Sequence, residues 1–352
     1  AAAGRAGSER LTTVTVPVHA RNRVQWVLGE QLLLPRLAAR AGVDLVHSLA
    51  STAPAWGSFK RVVTVHDLIY ARFPEAHSGL RDLGVRVLVP LAVRRSDRVM
   101  ADSETTRRDL AELLGADQAR IDVVALGMGA VRREEPAAQA GLRARLNLGE
   151  RPVVLTLSAK RPHKNLMRLI DAIALIDAER RPVLVAPGYP TWHEDELRVR
   201  VGELGLDTDV RLLHWLSAAE LEGLWAMASA FVFPSLYEGF GLPVLEAMAR
   251  GVPVACSDAS SLPEVAGDAA LLFDPHDPAA IARALERLLG DEREAARLRD
   301  AGLARAAHFT WERTACLTLQ SYARAMGLGE VPSSWTTTEM TDRAARDPRR
   351  VG

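Results

Sequence analysis

The stretch SLYEGFGLPVLEAMARGVPV, residues 235–254, sets two carboxylates, Glu238 and Glu246, on either side of a glycine-bounded turn that runs into a helix. It follows AFVFPS, a buried-strand pattern, so Ser235 to Gly241 lies at the carboxyl end of a strand. Pro243 suits the first turn of a helix and Gly251 its C-terminal end, which predicts a helix over about Leu242 to Arg250. The backbone N–H groups of Phe240, Gly241 and Leu242 are then left without intrahelical acceptors, and the helix dipole adds to their pull on an anionic or hydroxyl-bearing ligand. Gly239 and Gly241 let such a ligand approach the backbone closely. An ionised carboxylate only accepts hydrogen bonds, so Glu238 and Glu246 suit sugar or ribose hydroxyls and repel phosphate. The plainer alternative makes Glu238 a helix-entry charge and Glu246 part of a solvated face.

A second cluster is LSAKRPHKN. Lysine occurs three times in the chain, at Lys60, Lys160 and Lys164, and two of these fall in this segment with Arg161 and His163. A compact ammonium binds phosphate as a point charge, so Lys160, Arg161 and Lys164 at a strand end are candidates for a diphosphate clamp. Ordinary surface charge is the alternative. In RVVTVHDLIYARFPE, His66 and Asp67 end another buried strand, where His66 could contact a reacting sugar, orient an acceptor, shuttle a proton or simply cap the strand. Ser103 in MADSETTRRDL reads as a helix N-cap with Thr106 at the third helical position.

These groups need a scaffold that gathers strand ends. Short β-branched runs alternate with amphipathic stretches, the pattern of parallel sheets covered by helices. Strands are predicted at 12–16, 44–48, 61–65, 97–101 and 121–125, then at 152–158, 182–187, 209–213, 230–234, 252–256 and 269–273. A polar, Gly- and Ala-rich stretch near 127–150 separates the two series. The expectation is an α/β protein with two doubly wound domains facing a cleft, ligands binding outside the carboxyl ends of the strands. The bounds are 1–140 for the first domain, 141–310 for the second, 311–327 for an amphipathic crossover helix and 328–352 for a disordered tail. The chain opens on a polar leader followed by TTVTV, so the first domain reads as lacking one or two initial βα units.

Composition narrows the chemistry. At 352 residues two domains are expected, and the 44 basic and 44 acidic residues balance, which gives no reason to expect nucleic acid as a partner. No apolar run has the length of a membrane span. Two cysteines and nine scattered histidines form neither a disulfide framework nor a metal motif, so a cytoplasmic protein without metal or cofactor is expected.

Taken together, VVTVHDLIYARFPE, DRVMADSETTRRDL, IDVVALGMG, LSAKRPHKNLMRLIDAIA and SLYEGFGLPVLEAMARGVPVACSDASSLPEVAGDAALLFDPHDP resemble, in order, the family 4 glycosyltransferases of the GT-B fold, over roughly residues 12–327. The resemblance implies a retaining hexosyl transfer from a nucleotide sugar. Glu238 would hold donor-sugar hydroxyls, Gly239, Phe240, Gly241 and Leu242 would supply amides, Glu246 would bind the ribose, and Lys164 the phosphate. His66 would reach the donor sugar from the other domain. The HDL segment and the KN dipeptide lean toward mannosyltransferase-like members, hence GDP-mannose ahead of UDP- or dTDP-sugars. The acceptor would be a glycan, a lipid-linked sugar or a small molecule, the second involving peripheral membrane contact. The phosphate loop departs from the family pattern, with Ser158 and Ala159 after the strand and His163 before Lys164, and the first strand with its Gly-Gly loop has no counterpart. The competing classes are a non-catalytic sugar-nucleotide-binding protein and another GT-B enzyme, such as an epimerase or a phosphorylase.

Overall fold

The computed structural model describes residues 12–19, 22–73, 80–128 and 135–329. Among these residues, ten strands form two parallel sheets. The first holds β1 (Leu45–Ser48), β2 (Lys60–Val65), β3 (Arg98–Ala101) and β4 (Ile121–Val123), in that spatial order. The second holds β5 (Val153–Leu155), β6 (Val183–Pro187), β7 (Val210–Leu213), β8 (Ala228–Phe233), β9 (Val254–Ser257) and β10 (Ala270–Phe273), in the order β10-β9-β8-β5-β6-β7. Every named pairing is parallel. The β-branched and aromatic runs explain this choice: Val62, Val63 and Val65 on β2, and Phe231, Val232 and Phe233 on β8, are all but sealed from solvent, as strands covered by helices on both faces must be. Each sheet thus has its own core, and the second, with six strands, has an apolar cluster on each face.

Two expectations need correcting. The segment 12–16 forms no strand among the described residues, and Val14 and Val16 are exposed. β-Branched residues favour a strand only where a neighbouring strand buries them, and none does here. The strand predicted at 152–158 stops at Leu155, so the loop after it is longer than expected. A 3₁₀ turn over Pro162–Lys164 follows, and a helix begins at Leu166 with Asn165 at its N-cap. Asn165 itself sits in the left-handed region (φ 59°), where its amide side chain bonds the carbonyls of Pro234 (3.0 Å) and Pro275 (2.8 Å). The expected tail falls mostly on residues 330–352, outside the described residues.

The chain closes on itself through the helix Trp311–Ala325, which packs on β2 and β3 of the first sheet. Ala325 joins Val62, Met100 and Val124 in a small apolar cluster, the Tyr322 hydroxyl meets His47 Nδ1 at 2.7 Å, and Arg324 pairs with Asp122. A bridge between Met128 and Thr310 ties the two passages between the sheets together. Among the described residues, no helix is long and apolar enough to cross a membrane.

Candidate active site between the two sheets

In the second sheet the strand order reverses between β5 and β8, which lie side by side. An open parallel sheet offers a crevice outside the carboxyl ends of its strands at such a point. The loops leaving these two strands are the two segments singled out by their chemistry, residues 156–165 and 234–241.

The turn after β8 is held by serine hydroxyls. Ser257 Oγ donates to the Ser235 carbonyl (2.6 Å), and Ser261 Oγ lies within bonding reach of the carbonyls of Glu238 (2.9 Å) and Phe240 (2.7 Å). The Glu238 amide donates to Ser260 Oγ at 2.9 Å. Gly241, with φ 116°, turns the chain into the helix Leu242–Ala249. A side chain there would be strained, and its Cβ would also meet Leu262 at 2.7 Å. No hydrogen bond joins the amides of residues 239–242 to any group among the described residues. Phe240 serves through its backbone, because its ring is buried against Phe309, centroid to centroid 5.8 Å.

The loop after β5 brings Lys164 to that turn. The Leu236 amide donates to the His163 carbonyl (2.8 Å), stitching the two loops together, and Lys164 Nζ lies 2.6 Å from Glu238 Oε1. The ammonium also sits over the Phe233 ring, 5.6 Å from its centroid. Glu238 is nearly buried and Lys164 largely so. One turn further along the helix, the Glu246 carboxylate is partly buried and has no hydrogen-bond or ion-pair partner among the described residues. Burial pushes its pKa up; the nearby Arg250 opposes this and Glu222 adds to it. Arg250 is four residues on, but its guanidinium bonds the Glu222 carboxylate and the Glu246 backbone carbonyl.

Lys160 lies elsewhere. Its side chain is fully buried, with Nζ donating to the carbonyls of Leu213 (2.6 Å) and Gly188 (3.0 Å) and lying 3.5 Å from Glu194. A buried ammonium must be hydrogen-bonded, and this one is committed to joining the loops after β5, β6 and β7, so it is no phosphate ligand. The Arg161 guanidinium has no partner among the described residues and remains the second cation of this loop.

The first domain reaches the turn from the other side. A Cβ on Gly239 would fall 2.0 Å from the His66 carbonyl oxygen, so glycine is required for this approach. Ser103 caps the helix Glu104–Leu114 by accepting from the Thr106 amide (3.1 Å), as its sequence context predicts, and its hydroxyl also donates to the Gly239 carbonyl (2.7 Å). Tyr237 donates to Asp109, and Glu264 accepts from the Glu104 and Thr105 amides at the same helix start, each at 2.8 Å. His66 Nδ1 contacts Asp102 (2.8 Å) and Nε2 contacts the Leu49 carbonyl (2.7 Å). The bond to Asp102 raises the imidazole pKa to about 9, against the opposing effect of burial. With both ring nitrogens engaged, the imidazole is poorly arranged for proton shuttling, one of the four roles open to it from sequence. Asp102, Ser260, Ser261 and Glu264 were not singled out by sequence. For Asp102 the available signal was its place at a strand end, directly before the Ser103 cap.

Comparison with known proteins bears on the family and the fold. The family model "Glycosyl transferases group 1" matches residues 139–305, and "Glycosyltransferase Family 4" matches residues 2–128. The chain is 33% identical over 268 residues to O-antigen chain mannosyltransferase B of Escherichia coli, covering 75% of this chain and 70% of that protein. It is 32% identical over 278 residues to serotype-specific mannosyltransferase WbdA of the same species, covering 76% of this chain and 34% of that longer protein. Among solved structures, sucrose-phosphate synthase from Thermosynechococcus elongatus superposes with a TM-score of 0.69 at 25% identity, covering 84% of this chain and 76% of that one.

Proposed function

The chain belongs to the family 4, group 1 glycosyltransferases and has their two-domain GT-B fold, and from that premise we propose that it transfers a mannosyl group, with retention of configuration, from a nucleotide diphosphate sugar to a sugar-bearing acceptor. The observation that carries this reading is the Lys164–Glu238 pair, 2.6 Å apart beside the unpaired amides of residues 239–242. A sugar diphosphate is anionic at one end and hydroxylated at the other. The phosphate can take the ammonium and the helix amides while the sugar hydroxyls take the carboxylate. Glu246, a partly buried carboxylate without a partner, then accepts from the ribose diol. The two relatives above are named for mannosyl transfer, which favours a mannosyl donor, and the family resemblance makes GDP-mannose the first to test.

Glu238 engages Lys164 and has its amide and carbonyl tied down by Ser260 and Ser261, which suits hydroxyl binding rather than attack on the sugar carbon. Retention is then achieved on one face: the bond from the sugar carbon to the diphosphate breaks, the acceptor oxygen bonds the same face, and the acceptor proton passes to the departing diphosphate. Lys164 and the amides stabilise the charge that develops on the leaving group, the kind of term that usually dominates such catalysis.

Calorimetric titration with GDP, UDP and dTDP, followed by transfer assays with the matching sugars, tests this reading. One nucleotide is expected to bind, and Glu246→Ala and Lys164→Ala are each expected to weaken it roughly tenfold to hundredfold, the loss of one or two charge-assisted hydrogen bonds. Binding without transfer to any acceptor would leave a sugar-nucleotide-binding protein in its place.

A further inference from the structure

His66 is held by three successive strand ends. In the parallel register Val65 lies opposite Ala101, so the next residues, His66 and Asp102, emerge side by side from β2 and β3. On the other side, Ser48 lies opposite Val63, and Leu49 presents its carbonyl to the far edge of the imidazole. The two ring nitrogens therefore face a carboxylate oxygen at 2.8 Å and a carbonyl oxygen at 2.7 Å. The carbonyl only accepts, and so does the carboxylate in its ionised form, which the hydrogen bond and charge of His66 favour against the upward push of burial on Asp102. A neutral imidazole has a single N–H and would leave one contact as two lone pairs facing each other, whereas an imidazolium satisfies both.

Other features of the site fit this arrangement. The Asp102 carboxylate is buried, while the imidazole is close to half exposed (46%), so the charge is anchored from below and presented outward. Among charged neighbours, Asp67 also favours the cation. His47 on β1, bonded to Tyr322 and Thr64, is pushed down to about 4 by burial and by His66 itself, so it adds no competing charge. From the second domain, the turn meets His66 through the uncharged backbone of Gly239.

Building on the glycosyltransferase reading, we infer that Asp102 is a positioning residue: it locks His66 as an imidazolium beside the donor turn, so that His66 contributes fixed positive charge toward the departing diphosphate and does not act as a base for the acceptor hydroxyl. Asp102 touches no reacting atom and acts entirely through His66.

The test has two arms. Histidine-selective NMR titration of the full chain, without substrate, reads the proton directly. His66 in the wild type is expected to remain doubly protonated at pH 7.5 and to titrate near pH 9. In Asp102→Asn its midpoint is expected to fall toward the ordinary 6.5. A neutral His66 at pH 7.5 in the wild type overturns the inference whether or not the variant folds. The second arm is the pH profile of sugar transfer. A required cation keeps activity high below its pKa and loses it as pH rises through about 9, while a base does the reverse. Asp102→Asn should be roughly tenfold to hundredfold slower at pH 8 and recover much of the deficit below pH 6, with the larger change in kcat rather than KM. A deficit of equal size at every pH would mark Asp102 as merely structural. Activity that rises through pH 9 would make His66 the base. Absence of transfer at any pH would count against the glycosyltransferase reading, and the NMR arm would still decide the Asp102–His66 pair.

Discussion

The loops after β5 and β8 leave neighbouring strands, meet at one site and are organised in opposite ways. The turn after β8 is set by its backbone: glycine at 239 where the His66 carbonyl presses in, glycine at 241 where φ is positive, and the Ser261 hydroxyl within reach of the carbonyls of Glu238 and Phe240. The loop after β5 is set by long side chains with divergent fates. Lys160 and Lys164 are four residues apart, yet one ammonium is sealed among the carbonyls of Gly188 and Leu213 while the other meets Glu238 across the crevice. Clustered positive charge in a sequence therefore does not imply a shared target. A lysine stem spans several ångströms, and the direction of the backbone at each residue decides where its charge goes. Gly and Pro, by contrast, act at the position they occupy.

Exchanging the two lysines in turn is the strongest way to break this contrast. Lys164→Ala should cost about 10²–10³ in transfer rate, the scale for losing one stabilising group at a developing charge, and should also lower the thermal midpoint, because the buried Glu238 carboxylate loses its partner. Lys160→Met should leave the rate alone. It orphans two buried carbonyls, which costs roughly 1–3 kcal/mol each at most, offset in part because a buried charge is removed with them. Glu194 keeps Arg198 and His214 as partners, so a modest fall in midpoint with near-normal transfer per folded molecule is expected. Equal loss of rate in both variants at unchanged stability would show that the loop works as a single clamp after all.

Gly239→Ala probes the backbone side of the comparison. The added methyl would sit 2.0 Å from a carbonyl oxygen of the other domain and 2.9 Å from the Asp67 Cβ, and neither is the end of a flexible side chain. The domains must separate at this point, breaking the Ser103–Gly239 bond as they do. Transfer should fall roughly tenfold to hundredfold, since ångström-scale misplacement of a catalytic group has this effect. Small-angle scattering should show a larger radius of gyration. A variant with normal rate and unchanged radius would mean that the turn can yield without opening the cleft.

The same distinction explains how much of the site could be read from sequence. The parallel sheets and the turn after β8 were legible because β-branched runs, Pro243 after Gly241 and the Ser103 cap act within a few residues of themselves. TTVTV was misread because a strand also needs a neighbour, and local composition does not supply one. The partner of His66 was hidden for a related reason: Asp102 is 36 residues away and reaches His66 only through the β2–β3 register. Glu264, 160 residues beyond the helix start whose amides it accepts, lies further out of reach of any local pattern. Glu238 and Glu246 stood out because the turn between them was readable, whereas the burial that distinguishes them was not.

Glu246 offers the finest test, because here site chemistry and stability pull in opposite directions. Its carboxyl is pushed above the ordinary 4.5, first by burial, so the folded protein holds that proton more tightly than the unfolded chain does. The stabilising contribution of the protonated form is complete below pH 4.5 and is lost as pH rises through the folded value. Once pH has risen through that folded value, the protein carries a partly buried charge that costs stability, a cost that hydroxyls donated by a bound ligand would offset. Glu246→Gln removes that cost while keeping the shape. The variant should be more stable than the wild type by on the order of 1 kcal/mol at pH 7.5, with the advantage shrinking toward zero near pH 4, while its nucleotide affinity falls about tenfold. Denaturant unfolding at the two pH values, paired with calorimetry, reads both effects. A variant less stable at pH 7.5 would mean that the carboxylate has a structural partner, and the glutamine would then have disturbed the helix rather than relieved it.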